Sequence, residues 1–208
     1  LYSRNISNLM MAGRNISCSH VAFSSTRVMG TCAAVGQAAG TAAALCAERR
    51  IPPRRIYQDK KLLAALQQTL LRDDQMIRGR INQDPKDLAR QATVSCSSVV
   101  GPARAELVID GHLRDYPRPE GPEIHHWAGE MREDGAWIEL AWERPRQVRE
   151  IQLTFDTGFQ RELTLSASDR VNKGIIRAAQ PETVRDYSVA YRTSGRLRRL
   201  VQVQGNHQ

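Results

Sequence analysis

The chain has 208 residues, 41% apolar and 25% charged, an ordinary soluble balance with length for one large domain or two small ones. Its net charge of +8 is uneven: residues 1 to 96 carry fourteen basic against six acidic side chains, and the remainder balances at sixteen of each. The basic excess at Arg49, Arg50, Arg54, Arg55, Lys60 and Lys61 lacks aromatic interleaving or a nucleic-acid-binding motif. It reads as a solvated helix end, where cations are favoured, and no nucleic-acid partner is expected.

Leu1 to Asn8 show no signal-peptide pattern and no initiator Met, so a fragment of a longer protein is expected, with its compartment not legible from its start. A short apolar run, Leu9 to Ala12, stops at Gly13. After a polar loop comes a helix built almost wholly of Ala, Gly, Cys, Thr and Val, predicted to start near Val28 to Gly30. Each interior glycine weakens a helix by about 1 kcal/mol relative to Ala, so Gly30, Gly36 and Gly40 imply that something packs or binds close by. Ser24, Ser25, Thr26 and Arg27 precede it; free amides, the positive dipole end and an arginine together suit an electron-rich acceptor. Val28 to Ala47 carries no charge, but its glycines, threonines and Gln37 make it too weakly apolar for a membrane span. A buried packing helix without a ligand is the plain alternative.

Pro52 and Pro53 are expected to close that helix. A second runs from about Lys60 to Leu71, with Leu62, Leu63, Leu66 and Leu70 at helical spacing for packing. Asp73 and Asp74 read as a turn or cap rather than a catalytic pair, and Asp84 with Pro85 as the opening of another short helix. Cys18, Cys32, Cys46 and Cys96 match neither zinc, redox nor iron–sulfur cluster spacing. No metal site is expected, and the helical cysteines read as small hydrophobes.

Near Ser95 to Pro102 the helical period gives way to short alternating runs, which marks a domain boundary at residues 96 and 97. Strands are predicted at Glu106 to Ile109, Ala136 to Trp142, Glu150 to Asp156, Glu162 to Ser166, Arg185 to Arg192 and Leu197 to Gln204. Their spacing argues for an antiparallel sandwich.

The string Ala12-Gly13-Arg14, Ile16-Ser17, Ser19-His20, Ser24, Thr26-Arg27-Val28-Met29-Gly30-Thr31-Cys32 and Gly36-Gln37-Ala38-Ala39-Gly40 resembles the C-terminal flavin-binding segment of FAD-dependent oxidoreductases related to the fumarate reductase flavoproteins. The resemblance covers about residues 1 to 96. It implies FAD as cofactor, a small-molecule substrate, and flavin contacts at Gly13, Arg14, Arg27, Met29, Gly30 and Thr31. His20 is the candidate acid or base, with Arg27 stabilising the anionic reduced flavin. Such an enzyme needs a βαβ unit with GxGxxG for the pyrophosphate; this sequence has none, so a missing N-terminal dinucleotide-binding half is the expected partner.

Val108-Ile109-Asp110-Gly111, His126-Trp127 and Trp137-Ile138-Glu139-Leu140, with Val148 and Ile151, resemble the discoidin-like or galactose-binding-like jelly roll. Its binding loops vary, so no ligand residue carries over. Asp110-Gly111 reads as a structural turn, while His125, His126 and Trp127 offer a sugar-stacking platform that makes carbohydrate a further partner. The expected fold class is therefore mixed: a helical C-terminal segment of an α/β FAD-binding fold at 1–96, then a galactose-binding-like β-sandwich at 97–208, incomplete at both ends. The alternative function is a non-enzymatic carbohydrate-binding or adhesion module on a helical stalk.

Overall fold

The computed structural model describes residues 1–156 and 164–206. They form two compact units, Leu1–Arg149 and Glu150–Gln208, and the composition break at residues 96 and 97 falls inside the first.

In the first unit, α1 (His20–Thr26) is opened by Ser19, whose Oγ accepts from the Ala22 amide at 3.2 Å. The small-residue helix α2 (Met29–Arg49) begins where the sequence places it, with Val28 at the N-cap. No single helix among the described residues is long and apolar enough to cross a membrane. The end of α2 does not wait for the prolines. Arg50 turns left-handed at φ 53°; its amide donates to Ala47 and that of Ile51 to Cys46, so the last carbonyls are satisfied by a Schellman arrangement that usually employs glycine.

Pro53 then opens a helix instead of merely ending one. Its fixed φ and missing N–H suit a first helical position, and α3 (Pro53–Gln58) follows. Asp59 caps α4 (Lys60–Arg72) by accepting from the Lys61 and Leu62 amides. The core gathers Ala42, Cys46 and Ile56, with Met10, Leu45, Ile51, Leu63 and Leu66 against them. Leu71 of α4 is the most completely buried large side chain, at 1% exposure. Burial pushes the Cys46 thiol up from its ordinary value, in keeping with a packing role. Asp73 and Asp74 form a turn, and Asp74 accepts two hydrogen bonds from the Arg114 guanidinium, at 3.0 and 2.7 Å.

Two local expectations shift. The short helix expected from Asp84 is a 3-10 turn at Leu88–Gln91, capped by Asp87, because Asp84 instead accepts from the Lys86 amide in a tight turn. The strand expected at Glu106 to Ile109 is a 3-10 turn, Ala105–Ile109, whose amides bond locally, Leu107 to the Arg104 carbonyl at 3.3 Å and Asp110 to that of Leu107 at 3.5 Å, rather than across to a partner strand. β1 (Thr93–Cys96) pairs antiparallel with β2 (Ile138–Ala141), Thr93 opposite Ala141 and Cys96 opposite Ile138. Trp142 fastens this sheet by donating from Nε1 to the Leu88 carbonyl at 2.9 Å.

In the second unit, β3 (Tyr187–Thr193) and β4 (Arg196–Val203) form a hairpin. Ser194 and Gly195 both take positive φ, the two-residue turn whose twist matches that of paired strands. A helical turn, α5 (Asp169–Gly174), precedes the hairpin. Glu150 to Asp156 carries no strand, and part of the predicted run at Glu162 to Ser166 lies outside the described residues. The described sheets are two antiparallel pairs, so helices and antiparallel strands are present as expected.

Candidate functional site

Four of the expected flavin-contacting residues, Arg27, Met29, Gly30 and Thr31, lie at the corner between α1 and α2, where the chain bends by 89°. The bend is held by side chains from the first turn of α2 reaching back to α1. The Thr31 hydroxyl donates to the Ser25 carbonyl at 3.5 Å and the Cys32 thiol to the Thr26 carbonyl at 3.6 Å. Arg27 forms the joint itself, its amide donating to the Phe23 carbonyl at 3.1 Å.

The start of α2 has the properties of an acceptor-binding helix end. Val28 offers no side-chain cap and the first turn contains no acid. The first amides of an α-helix have no acceptor within the helix, so those of Met29, Gly30 and Thr31 face outward beside the positive dipole end. Around them Val21, Val28 and Met29 are exposed, Met29 by 89%. The Arg27 side chain is exposed and makes no ion pair among the described residues.

Gly13 and Arg14 approach the same corner. Gly13 turns the chain at φ 65°, and the Arg14 guanidinium sits 5.9 Å from the centre of the Phe23 ring on α1, a cation–π contact that ties the turn to the helix. His20 is exposed at the first position of α1. The corner therefore collects Arg14, Arg27, Met29, Gly30 and Thr31, with Gly13 and His20 on the chain leading into it.

The glycines of α2 sharpen the sequence argument. Added Cβ atoms at Gly30, Gly36 and Gly40 would meet nothing within 4 Å, so the close neighbour they imply is not among the described residues. Burial on α2 begins only at Ala39 and continues through Ala42 and Cys46. The first ten residues, about 15 Å of helix, thus lack a buried side chain.

A second constellation went unread in the sequence. Asp110, His112 and His125 meet in the first unit, each offering a ligand atom within 4.8 Å of the other two. The His125 ring is stacked on His112 at 3.7 Å, and His126 is paired with Asp115 at 2.9 Å. Trp127 donates from Nε1 to the Ser98 carbonyl. The three aromatic side chains expected as a sugar platform are thus each engaged within the chain. The signal that would have found the cluster is an Asp-Gly-His turn with a second histidine downstream.

Residues 1–70 match the family model described as FAD dependent oxidoreductase, and residues 87–185 match one described as domain of unknown function, DUF7402. No curated protein and no solved structure matches the chain. The first match takes in the whole α1–α2 corner, and through it the N-terminal segment is similar to an FAD-dependent oxidoreductase, a family whose cofactor is FAD.

Proposed function

We propose that this chain is part of an FAD-dependent oxidoreductase related to the fumarate reductase flavoproteins, and that residues 1–96 supply the C-terminal wall of its flavin site. The observation that carries this reading is the uncapped, acid-free N-terminus of α2, set among exposed apolar side chains in the segment that matches the family. A helix designed only for packing gains about 0.5–2 kcal/mol from a Ser, Thr, Asp or Asn cap, and Val28 forgoes it.

The residues at the corner fit the cofactor by their chemistry. The amides of Met29, Gly30 and Thr31 and the Arg27 guanidinium are donors with no acceptor shown among the described residues. Together they suit the electron-rich pyrimidine edge of the flavin ring, where positive charge favours the anionic reduced state. Gly13 lets the chain turn close to the ligand, and Arg14 is held over Phe23 within the same corner. When bound, FAD supplies the hydride or electron chemistry, and the protein positions and tunes it. His20, exposed at the start of α1, is the candidate to exchange a proton with a small-molecule substrate. The phosphate-binding half belongs to sequence outside this chain. Residues 97–208 act as an accessory galactose-binding-like domain of jelly-roll type, with carbohydrate as its ligand class.

The test is the visible spectrum of the protein purified from its complete gene. Oxidised-flavin absorption is expected, with Arg27→Ala lowering flavin occupancy or redox potential. A colourless protein retained on a sugar matrix would favour the adhesion-module alternative and overturn this reading.

A further inference from the structure

We propose that His112, His125 and Glu123, with Asp110 holding the His125 ring from its other nitrogen, form a binding site for a divalent transition metal ion, zinc foremost. The proposal stands apart from the flavin site and departs from the expectation of no metal, which rested on cysteine spacing and on reading Asp110-Gly111 as a structural turn.

The local chain is folded to bring these groups together. Asp110 ends the 3-10 turn at Ala105–Ile109, and its Oδ1 accepts from the His112 amide at 2.8 Å. Between them Gly111 adopts φ 91°, and a Cβ there would lie 2.9 Å from the Asn82 carbonyl oxygen. Only glycine lets the turn close. An antiparallel bridge between Tyr116 and Glu123 folds the following chain back and sets His125 against the turn. There Nδ1 of His125 lies 2.6 Å from Asp110 Oδ2. Tyr116 is buried and meets both imidazoles edge-on at 5.3 and 5.4 Å.

The second observation comes from the other side of the ring. The His125 side chain is only 8% exposed, and its Nε2 is buried with no hydrogen-bond partner among the described residues. The nearest carboxylate oxygen, Glu123 Oε1, stands 3.6 Å away, beyond hydrogen-bonding range. Imidazole nitrogens left without a partner inside a protein are costly, whereas a metal ion satisfies a lone pair at that distance from a second oxygen. Two imidazoles and the Glu123 carboxylate form a mixed nitrogen–oxygen set that suits zinc, in which a three-protein-ligand site keeps a position open for water, while Asp110 orients the His125 ring through Nδ1. Oxygen-seeking calcium would not choose it.

Parallel rings hold their in-plane lone pairs side by side, so a shared ion requires one ring to turn. His112 is the ring free to do so: its Nδ1 contact to the Tyr116 hydroxyl is long, at 3.3 Å. Binding therefore trades the imidazole stack for two metal–nitrogen bonds, with release of any protons held on the ligands.

The test uses the full chain, stripped with a chelator and titrated with zinc alone, with cobalt as a coloured substitute. The expected result is one ion per chain and cobalt absorption typical of nitrogen and oxygen ligands. His112→Gln should weaken zinc binding by at least about tenfold while the thermal transition stays cooperative; Glu123→Gln, on the surface, serves as a second variant should that one unfold. Failure to take up either ion, calcium binding in preference to zinc, or zinc uptake unchanged in both variants would overturn the assignment.

Discussion

Replacing Gly111 by alanine should destabilise the first unit through two separable effects. At φ 91° a residue with a Cβ is strained, which costs about 1–2 kcal/mol. The new methyl would also lie 2.9 Å from the Asn82 carbonyl oxygen, which accepts from the Arg90 guanidinium. The Asn82 amide donates back to the Gly111 carbonyl at 2.8 Å. Relieving the clash means moving backbone, and loosening these hydrogen bonds adds about 1 kcal/mol for each that is lost. The combined loss should reach about 2–4 kcal/mol by the same reasoning. Gly101→Ala is the control, because Gly101 also has positive φ, 61°, but a Cβ there would meet nothing within 4 Å. It should pay the strain alone. Denaturant unfolding followed by the fluorescence of Trp127, Trp137 and Trp142 would measure both. If Gly111→Ala proves no more destabilising than Gly101→Ala, the close packing of Asn82 against the Asp110–His112 turn is refuted.

Arg50→Gly should raise stability by about 1 kcal/mol, since glycine occupies the left-handed helix end without the strain of a Cβ; an unchanged or lowered melting temperature would count against that helix ending. Glu123 supplies a pH dependence. Its hydrogen bond from Arg118 holds the carboxyl below its ordinary value of 4.5, so the folded state binds this proton less readily than the unfolded one. The resulting stabilisation is fully present above 4.5 and lost as pH falls through the lowered value. Melting curves of the parent and Arg118→Ala should therefore differ near neutrality and converge in acid, and a difference independent of pH would contradict the pairing.

The parts of the fold legible in the sequence were those written in local pattern. The leucine spacing gave α4 within a residue, and the shift to small residues after Arg27 placed the start of α2. α3 escaped because six residues are too few to show a period and its proline reads equally as a stop. Ala105–Ile109 looked extended because β-branched Val108 and Ile109 sit together, yet its amides bond three residues back instead of to a neighbouring strand. β1 was hidden by its length of four residues and a partner more than forty positions away. The small-residue start of α2 was legible as a composition, although its uncapped N-terminus and exposed Met29 required coordinates. The Asp110–His112–His125 cluster was missed although its Asp-Gly-His turn stands in the sequence, because His125 joins that turn through a bridge that no periodicity announces.

The flavin-wall reading is tested most directly by Val28→Asp in the protein expressed from its complete gene. Val28 is 52% exposed at the N-cap of α2, so a carboxylate fits there and would accept from the helix amides, adding about 0.5–2 kcal/mol to an ordinary helix. If those amides and Arg27 serve the flavin, the new carboxylate competes for its donors and repels its electron-rich edge. The measurement is the flavin-to-protein ratio beside the melting temperature. The account requires flavin occupancy to fall while the protein stays folded; full occupancy with raised stability would show that α2 begins at a plain helix end and not at the cofactor.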